Sequence, residues 1–340
     1  MLYYIPIEPY ETRYTADWVQ DFEQTFEQFD VEFTTILGKP SSTKVTDGGV
    51  LDACGTHLYK FSQLQILIEK IDNGIVKDDD VIFFADLWFP GLESLFYIRN
   101  MLKRKFKICG IFHAGTYDKA DFTYRNGMRR WGRFLEASWF TEIDTIFVAT
   151  EFHKNLLLSK SLSFMTPQLA DKIYVTGLPF FSDKLRWQYL KTNKSDENIL
   201  VFPHRMDIEK HPEMFDELVS WLQSKQIKFK PVRTIVETKS RKEYFNLLAK
   251  SKVMVSFADQ ETFGYSTLES MALDNIVVVP NRLSYVETVP RRFRYDTKQE
   301  CFDMVLNALT NYSKPCYDDI DEWQYSICKM IEKMGVYYAF

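Results

Sequence analysis

The sequence predicts an α/β protein built from two doubly wound domains. Three observations carry this expectation. Short β-rich runs alternate with helical patterns along most of the chain, as in parallel sheets covered on both faces. Ten candidate strands exceed what one open sheet comfortably holds. A chain of 340 residues matches about two domains at ~150 residues each.

In the first half, Leu2–Ile7 is apolar but short and lacks a basic flank, so it reads as a strand and not as a signal peptide. Strands follow at Val31–Leu37, Val81–Phe84, Lys107–Phe112, Thr145–Ala149 and Ile173–Val175. Helical patterns separate them at Thr15–Phe29, Phe61–Asp72, Leu92–Lys103 and Met128–Ser138. The boundary is placed after Gly177-Leu-Pro179, giving domains of 1–182 and 183–320, and the polar stretch Thr192–Asn198 reads as a linker or loop. In the second half, strands are read at Ile199–Phe202, Lys228–Val232, Val253–Phe257 and Ile276–Val279. The helices between them are Glu213–Ser224, Arg241–Ala249 and Thr267–Ala272. The tail from Cys301 reads as two helices without strands.

Composition removes several functional classes. No run approaches the ~18 apolar residues of a membrane span. Five scattered cysteines with no C-x-x-C pair point to reduced thiols in a cytoplasm. The five histidines show no zinc spacing. No P-loop or G-x-G-x-x-G fingerprint is present. A formal net charge of −5 argues against indiscriminate nucleic-acid binding.

Two constellations in the second half sit at the C-terminal ends of predicted strands, where α/β sheets place ligands. After Ile199–Phe202, Arg205 and Lys210 stand five apart, just before a helix opened by Pro212. Two cations beside a helix start form a phosphate site, or else two solvated loop residues. After Val253–Phe257 comes Glu261-Thr-Phe263-Gly264-Tyr265-Ser266-Thr267-Leu-Glu269. Gly264 permits close backbone approach, and the N–H groups near Tyr265–Thr267 can hold an anion. The competing reading is an ordinary helix cap with acids near its N-terminus.

Together, Arg205, Lys210, Glu261, Phe263, Gly264 and Glu269 resemble the donor domain of retaining GT-B-fold glycosyltransferases, which carry E-x7-E around a Phe-Gly turn. The resemblance implies two Rossmann-like domains facing a central cleft, with the first (1–182) taking the acceptor and the second (183–320) the nucleotide sugar. A C-terminal helix at about 321–340 is implied to pack back onto the first domain. Arg205 and Lys210 would hold the diphosphate, Glu261 the transferred sugar and Glu269 the ribose. The donor is expected to be a nucleotide sugar, a UDP-sugar first. No cofactor or metal is implied, because side chains neutralise the diphosphate, and the sequence is read as having no Asp-x-Asp motif, the usual metal holder of the other glycosyltransferase fold.

In the first domain, His113 ends the strand of Ile111-Phe-His113-Ala-Gly and is the family-like candidate for touching the sugar; its competing reading is structural. Asp86, ending Val81–Asp86, is a weaker candidate. Glu8 and Arg13 stand where many members carry a Gly-rich loop, which leaves the acceptor contacts there open. The stretch Ile7–Trp18 resembles glycosyltransferases of bacteriophages, which implies a modified DNA base as acceptor and a host cytoplasm as location. Lipid, glycan or protein acceptors, and a non-catalytic nucleotide-binding protein, are the alternatives.

Charge supplies an independent argument. From Arg99 to Arg133 ten basic residues face only Asp118 and Asp121, a local balance of +8 in an acidic chain. Arg125, Arg129, Arg130, Trp131 and Arg133 interleave cations with an aromatic ring, suited to phosphates and stacked bases. The alternative is a solvated helix face with cations at a helix end.

Overall fold

The computed structural model describes residues 1–10, 13–40, 52–160, 167–190, 194–317 and 320–336. Two compact units emerge: Met1–Leu178 with Tyr325–Phe340, and Pro179–Gln324.

Apolar strands set the first unit. Its strands are β1 (Leu2–Ile5), β2 (Phe33–Thr35), β3 (Val81–Phe84), β4 (Lys107–Ile111), β5 (Thr145–Val148) and β6 (Ile173–Val175). All residues of β1 and β3 are buried, as expected for a sheet covered on both faces. The strands are parallel, in the order β2-β1-β3-β4-β5-β6. The helices are α1 (Trp18–Gln28), α2 (Ala53–Asp72), α3 (Glu93–Met101), α4 (Phe122–Arg125), α5 (Arg129–Glu142) and α6 (Glu151–Lys160). Helix α2 begins eight residues before the expected Phe61, because the Asp52 carboxylate accepts from Cys54 and Gly55 N–H and caps it. The chain winds from β1 to β2 on one side and from β3 onward on the other. The C-terminal ends of β1 and β3 therefore flank the topological switch point.

The second unit holds β7 (Ile199–Phe202), β8 (Lys230–Arg233), β9 (Val253–Val255), β10 (Ile276–Pro280) and β11 (Arg294–Tyr295) in the parallel order β11-β10-β9-β7-β8. Its helices are α7 (Ser182–Tyr189), α8 (Pro212–Ser224), α9 (Thr234–Glu237), α10 (Arg241–Lys250), α11 (Tyr265–Ala272), α12 (Tyr285–Thr288) and α13 (Lys298–Thr310). Here the switch point lies between β7 and β9. Their following loops carry Arg205–Lys210 and Glu261–Gly264, so topology alone brings the two constellations together.

The units divide at Leu178/Pro179, four residues earlier than the expected 182/183. The segment after the division is held within the second unit: Tyr265 Oη donates to the Pro179 carbonyl at 2.9 Å and Phe180 is buried. The returning segment starts at Tyr325, later than the expected 321, because Asp321 pairs with Arg186 at 2.8 Å and Trp323 packs on Phe263. Helix α14 (Ser326–Met334) then buries Ile327, Met330, Ile331 and Met334 on one face, packed against α1 and β5 of the first unit. Residues 337–340 of that expected helix lie outside the described residues. In the stretch expected as a linker, Thr192 and Asn193 also lie outside them. Lys194 donates to the Leu248 and Leu273 carbonyls, so the remainder is a packed loop and not a linker.

Candidate functional site

In the second unit, the loop after β7 and the turn after β9 meet. Lys210 is buried; its Nζ donates to the Gln260 carbonyl and lies 3.6 Å from Glu261 Oε2. Glu261 Oε1 in turn accepts from Gly264 N–H at 3.0 Å, which fixes the turn. Gly264 has φ 90°, a left-handed conformation that suits glycine. Arg205 is 43% exposed beside Glu209 at 3.2 Å, so its guanidinium reaches solvent while Lys210 does not.

Several expected donor contacts are corrected. Phe263 is buried against Tyr265 and Trp323, so it is a core residue and not a ligand contact. Gly264 N–H is taken by Glu261, and Thr267 N–H by the Gly264 carbonyl at 3.0 Å; these two are not open anion donors. Thr267 is fully buried, Ser266 is half-buried, and Tyr265 is tied to Pro179. Glu269 is almost fully buried and both its oxygens are already engaged, by Arg241 at 3.3 Å and Tyr244 Oη at 2.9 Å. Burial raises its pKa, opposed by the same two partners. A carboxylate has about four acceptor positions, so about two of those of Glu269 remain.

Sequence reasoning missed three supports of this site. His204 Nε2 meets Ser256 Oγ at 2.8 Å, and Ser256 meets Tyr285 Oη at 2.9 Å, a buried chain beneath the two loops. Burial, with Lys210 and Arg205 nearby, holds His204 neutral. Arg241 and Tyr244 sit one helical turn apart on α10 and carry no recognisable spacing motif. His211 is the third.

In the first unit, the switch point gathers Glu8, Lys60, Asp86 and His113. Glu8 is buried and accepts from Tyr10 Oη at 2.8 Å, while Arg13 lies over the Tyr10 ring. Asp86 is not an open acceptor contact: it pairs with buried Lys60 at 2.8 Å and accepts from Trp88 N–H. Lys60, unforeseen in the sequence, also donates to the Trp88 carbonyl. His113 Nε2 donates to the Ala85 carbonyl at 2.7 Å, and its ring lies against Trp18. Burial lowers its pKa, against Asp86. A neutral imidazole oriented by a backbone carbonyl can only offer Nδ1 as an acceptor.

The basic segment is smaller than its charge count implied. Arg99 is held by Asp144 at 2.7 Å and by the Glu142 and Phe106 carbonyls. Arg104 is held by Asp78 at 2.6 Å. Arg129 donates to the Thr116 carbonyl, a structural tie. Lys103, Lys105, Lys107 and Lys119 are exposed, and a second exposed group joins Arg125, Arg130, Trp131 and Arg133 to the unforeseen Phe134, with the Arg133 guanidinium 4.6 Å from the Phe134 ring centre. Beneath it, buried Glu136 accepts from Thr116 N–H, Thr116 Oγ1 and Trp88 Nε1.

Asp-x-Asp spacing does occur, at Asp78–Asp80 and Asp319–Asp321. Asp78 holds Arg104, Asp80 accepts from Lys77 N–H, Asp321 holds Arg186, and Asp319 lies outside the described residues. Among the described residues no cluster of three or more metal-ligating side chains forms. Nor is any described helix long and apolar enough to cross a membrane.

No family model matches the sequence. A curated protein, the tRNA-queuosine alpha-mannosyltransferase of Drosophila melanogaster, is 26% identical over 134 residues, 33% of this chain and 33% of that protein. The chain thus matches about a third of that relative's length. Among solved structures, the catalytic domain of starch synthase IV from Arabidopsis thaliana, bound to ADP and acarbose, superposes with a TM-score of 0.62 at 11% identity, covering 98% of each chain. A trehalose-6-phosphate synthase, studied for glycosyltransfer with retention, gives 0.62 at 12% identity over 98% of this chain and 95% of its own. With two parallel doubly wound sheets and these neighbours at full coverage, the chain has the GT-B glycosyltransferase fold.

Proposed function

We propose that the protein is a retaining glycosyltransferase that moves a sugar from a nucleoside-diphosphate sugar, a UDP-sugar first, to a hydroxyl on a modified nucleic-acid base. The observation that carries the reading is the meeting of Lys210 and Glu261 at the β7/β9 switch point. Lys210 and Arg205 neutralise the departing diphosphate, a preorganised stabilisation that grows as the bond breaks. Glu261, held by Lys210 and Gly264, orients the sugar. The departing phosphate oxygen takes the acceptor proton on the same face, which gives retention; the retaining trehalose-6-phosphate synthase supports this.

Two features support the acceptor. The relative is named for tRNA-queuosine, and the resemblance read at Ile7–Trp18 implies modified DNA bases. The exposed Arg125, Arg130, Trp131, Arg133 and Phe134 join phosphate-binding cations to stacking rings. A base within a duplex would have to flip out to react.

The test is incubation with radiolabelled UDP-, GDP- and ADP-sugars and three acceptors: a tRNA pool, hydroxymethylated DNA and a lipid extract. Label in either nucleic acid supports the reading and tells the two sources apart. Label confined to lipid overturns the acceptor, and no transfer at all overturns the activity. Arg130→Ala with Arg133→Ala is expected to flatten the slope of log affinity against log salt by about 1.4 for single-stranded acceptors. An unchanged slope would remove both residues from the interface.

A further inference from the structure

His211 directly follows Lys210 and opens α8 with φ 52° and ψ 58°, the left-handed region. A histidine there is uncommon, and something must hold it. Both ring nitrogens are gripped by carboxylates: Nδ1 lies 2.7 Å from Glu213 Oε1, and Nε2 lies 2.6 Å from Asp259 Oδ2. Only the imidazolium has an N–H for each. Asp259 stands two residues before Glu261, and its own N–H donates to the Glu209 carbonyl at 2.8 Å. One ring therefore ties the loop that ends in Lys210 to the turn that begins at Asp259.

We propose that the His211 imidazolium is a positioning residue, a clip that holds Lys210 and Glu261 in register to grip the donor diphosphate. The inference rests on the donor-site reading above and specifies how that site is kept assembled. The charged groups at the ring are Glu213 on its own segment, Asp259 on the β9–α11 loop, and Arg282 after β10, while neighbouring Lys210 turns its ammonium to Gln260 and Glu261. Arg282 bonds the other Asp259 oxygen at 2.6 Å. Asp296 and Lys298, at the end of β11 and the start of α13, line the same open cavity of about 360 Å³. Burial works against the ring's charge, but the bonds to Asp259 and Glu213 outweigh it and lift its pKa above the usual value. On deprotonation one N–H is lost, and one carboxylate then faces a lone pair. The clip is closed at low pH and opens as pH rises through the raised value, on the alkaline side of about 6.5.

The test separates the clip from the donor site. Hydrogen-exchange protection of residues 205–211 and 259–264, corrected for intrinsic rate, is measured at pH 6 and pH 9 in wild type and His211→Gly. Glycine takes this backbone without strain, so the variant keeps the fold. Wild-type protection is expected to fall about tenfold at pH 9, while His211→Gly is low and flat. Asp259→Asn should move the imidazole titration, followed by NMR, to lower pH. Calorimetry with UDP, GDP and ADP should show about fivefold weaker binding of the preferred nucleotide in His211→Gly at pH 6. Equal protection in both proteins overturns the clip. Lost protection with equal nucleotide affinity overturns the clip's part in the donor grip, and a wild type that binds none of the three nucleotides overturns the donor-site reading instead.

Discussion

Lys210→Ala is expected to lower kcat for sugar transfer about 10³-fold, the loss typical of removing one preorganised charge at a developing anion. Burial decides why Lys210 outweighs Arg205. Its side chain is 8% exposed against 43% for the arginine, so its field is less screened by water. Arg205→Ala is accordingly expected to cost about tenfold. The competing account makes Lys210 a structural tie between the Gln260 carbonyl and Glu261. Under that account a variant that keeps the aliphatic stem, Lys210→Met, would lose stability and keep its turnover per folded molecule. The measurement is kcat alongside a urea melt for both variants. Transfer rates unchanged in Lys210→Ala and Arg205→Ala together would sink the phosphate-site assignment.

The fold was largely legible because its signal is periodic. Apolar runs such as Val81–Phe84 and Ile199–Phe202 are too short for helices and rich in β-branched and aromatic residues, so they read as strands buried on both faces, and their alternation with helices leaves few topologies. Helices α6 and α7 were missed because Glu151–Lys160 and Ser182–Tyr189 lack a clear apolar stripe. The meeting of the two loops was legible through spacing and topology: the switch point brings Lys210 within 3.6 Å of Glu261, which in turn accepts from Gly264 N–H. Their supports were not. Arg241, Tyr244, His204 and Lys60 reach the sites across 25 to 52 residues of sequence, and such long-range pairings leave no local pattern. Charge counting misled for a related reason. Arg99 and Arg104 add to the local sum, yet each is spent on a carboxylate brought in by the fold, Asp144 and Asp78.

Glu136 yields the sharpest structural prediction: Glu136→Ala should lose about 3 kcal/mol of stability, and Glu136→Gln almost none. The alanine leaves three donors without an acceptor: Thr116 N–H, Thr116 Oγ1–H and Trp88 Nε1–H. The site has little slack to absorb this, since a Cβ on Gly115 would stand 2.7 Å from Glu136 Oε1 and one on Gly132 would stand 2.6 Å from Thr116 Cγ2. Glutamine keeps the pattern. Its carbonyl can receive Thr116 N–H and Trp88 Nε1–H, which share Oε1 in the wild type, and its amide can donate to the Thr116 hydroxyl. Burial raises the Glu136 pKa, against the hydrogen bonds from Thr116 and Trp88. A carboxyl whose folded value lies above its unfolded one favours the fold below the ordinary range near 4.3, and that contribution is lost as pH rises through the folded value. Glutamine cannot ionise, so the variant should hold its stability where wild type declines between acid and neutral pH. Urea melts at pH 4.5 and 7 measure both effects. Because Trp88 packs 6.2 Å from Trp131, Glu136→Ala should also weaken acceptor binding, while Glu136→Gln should not. If glutamine proves as damaging as alanine in both assays, the ionised carboxylate has a role that hydrogen-bond geometry does not supply.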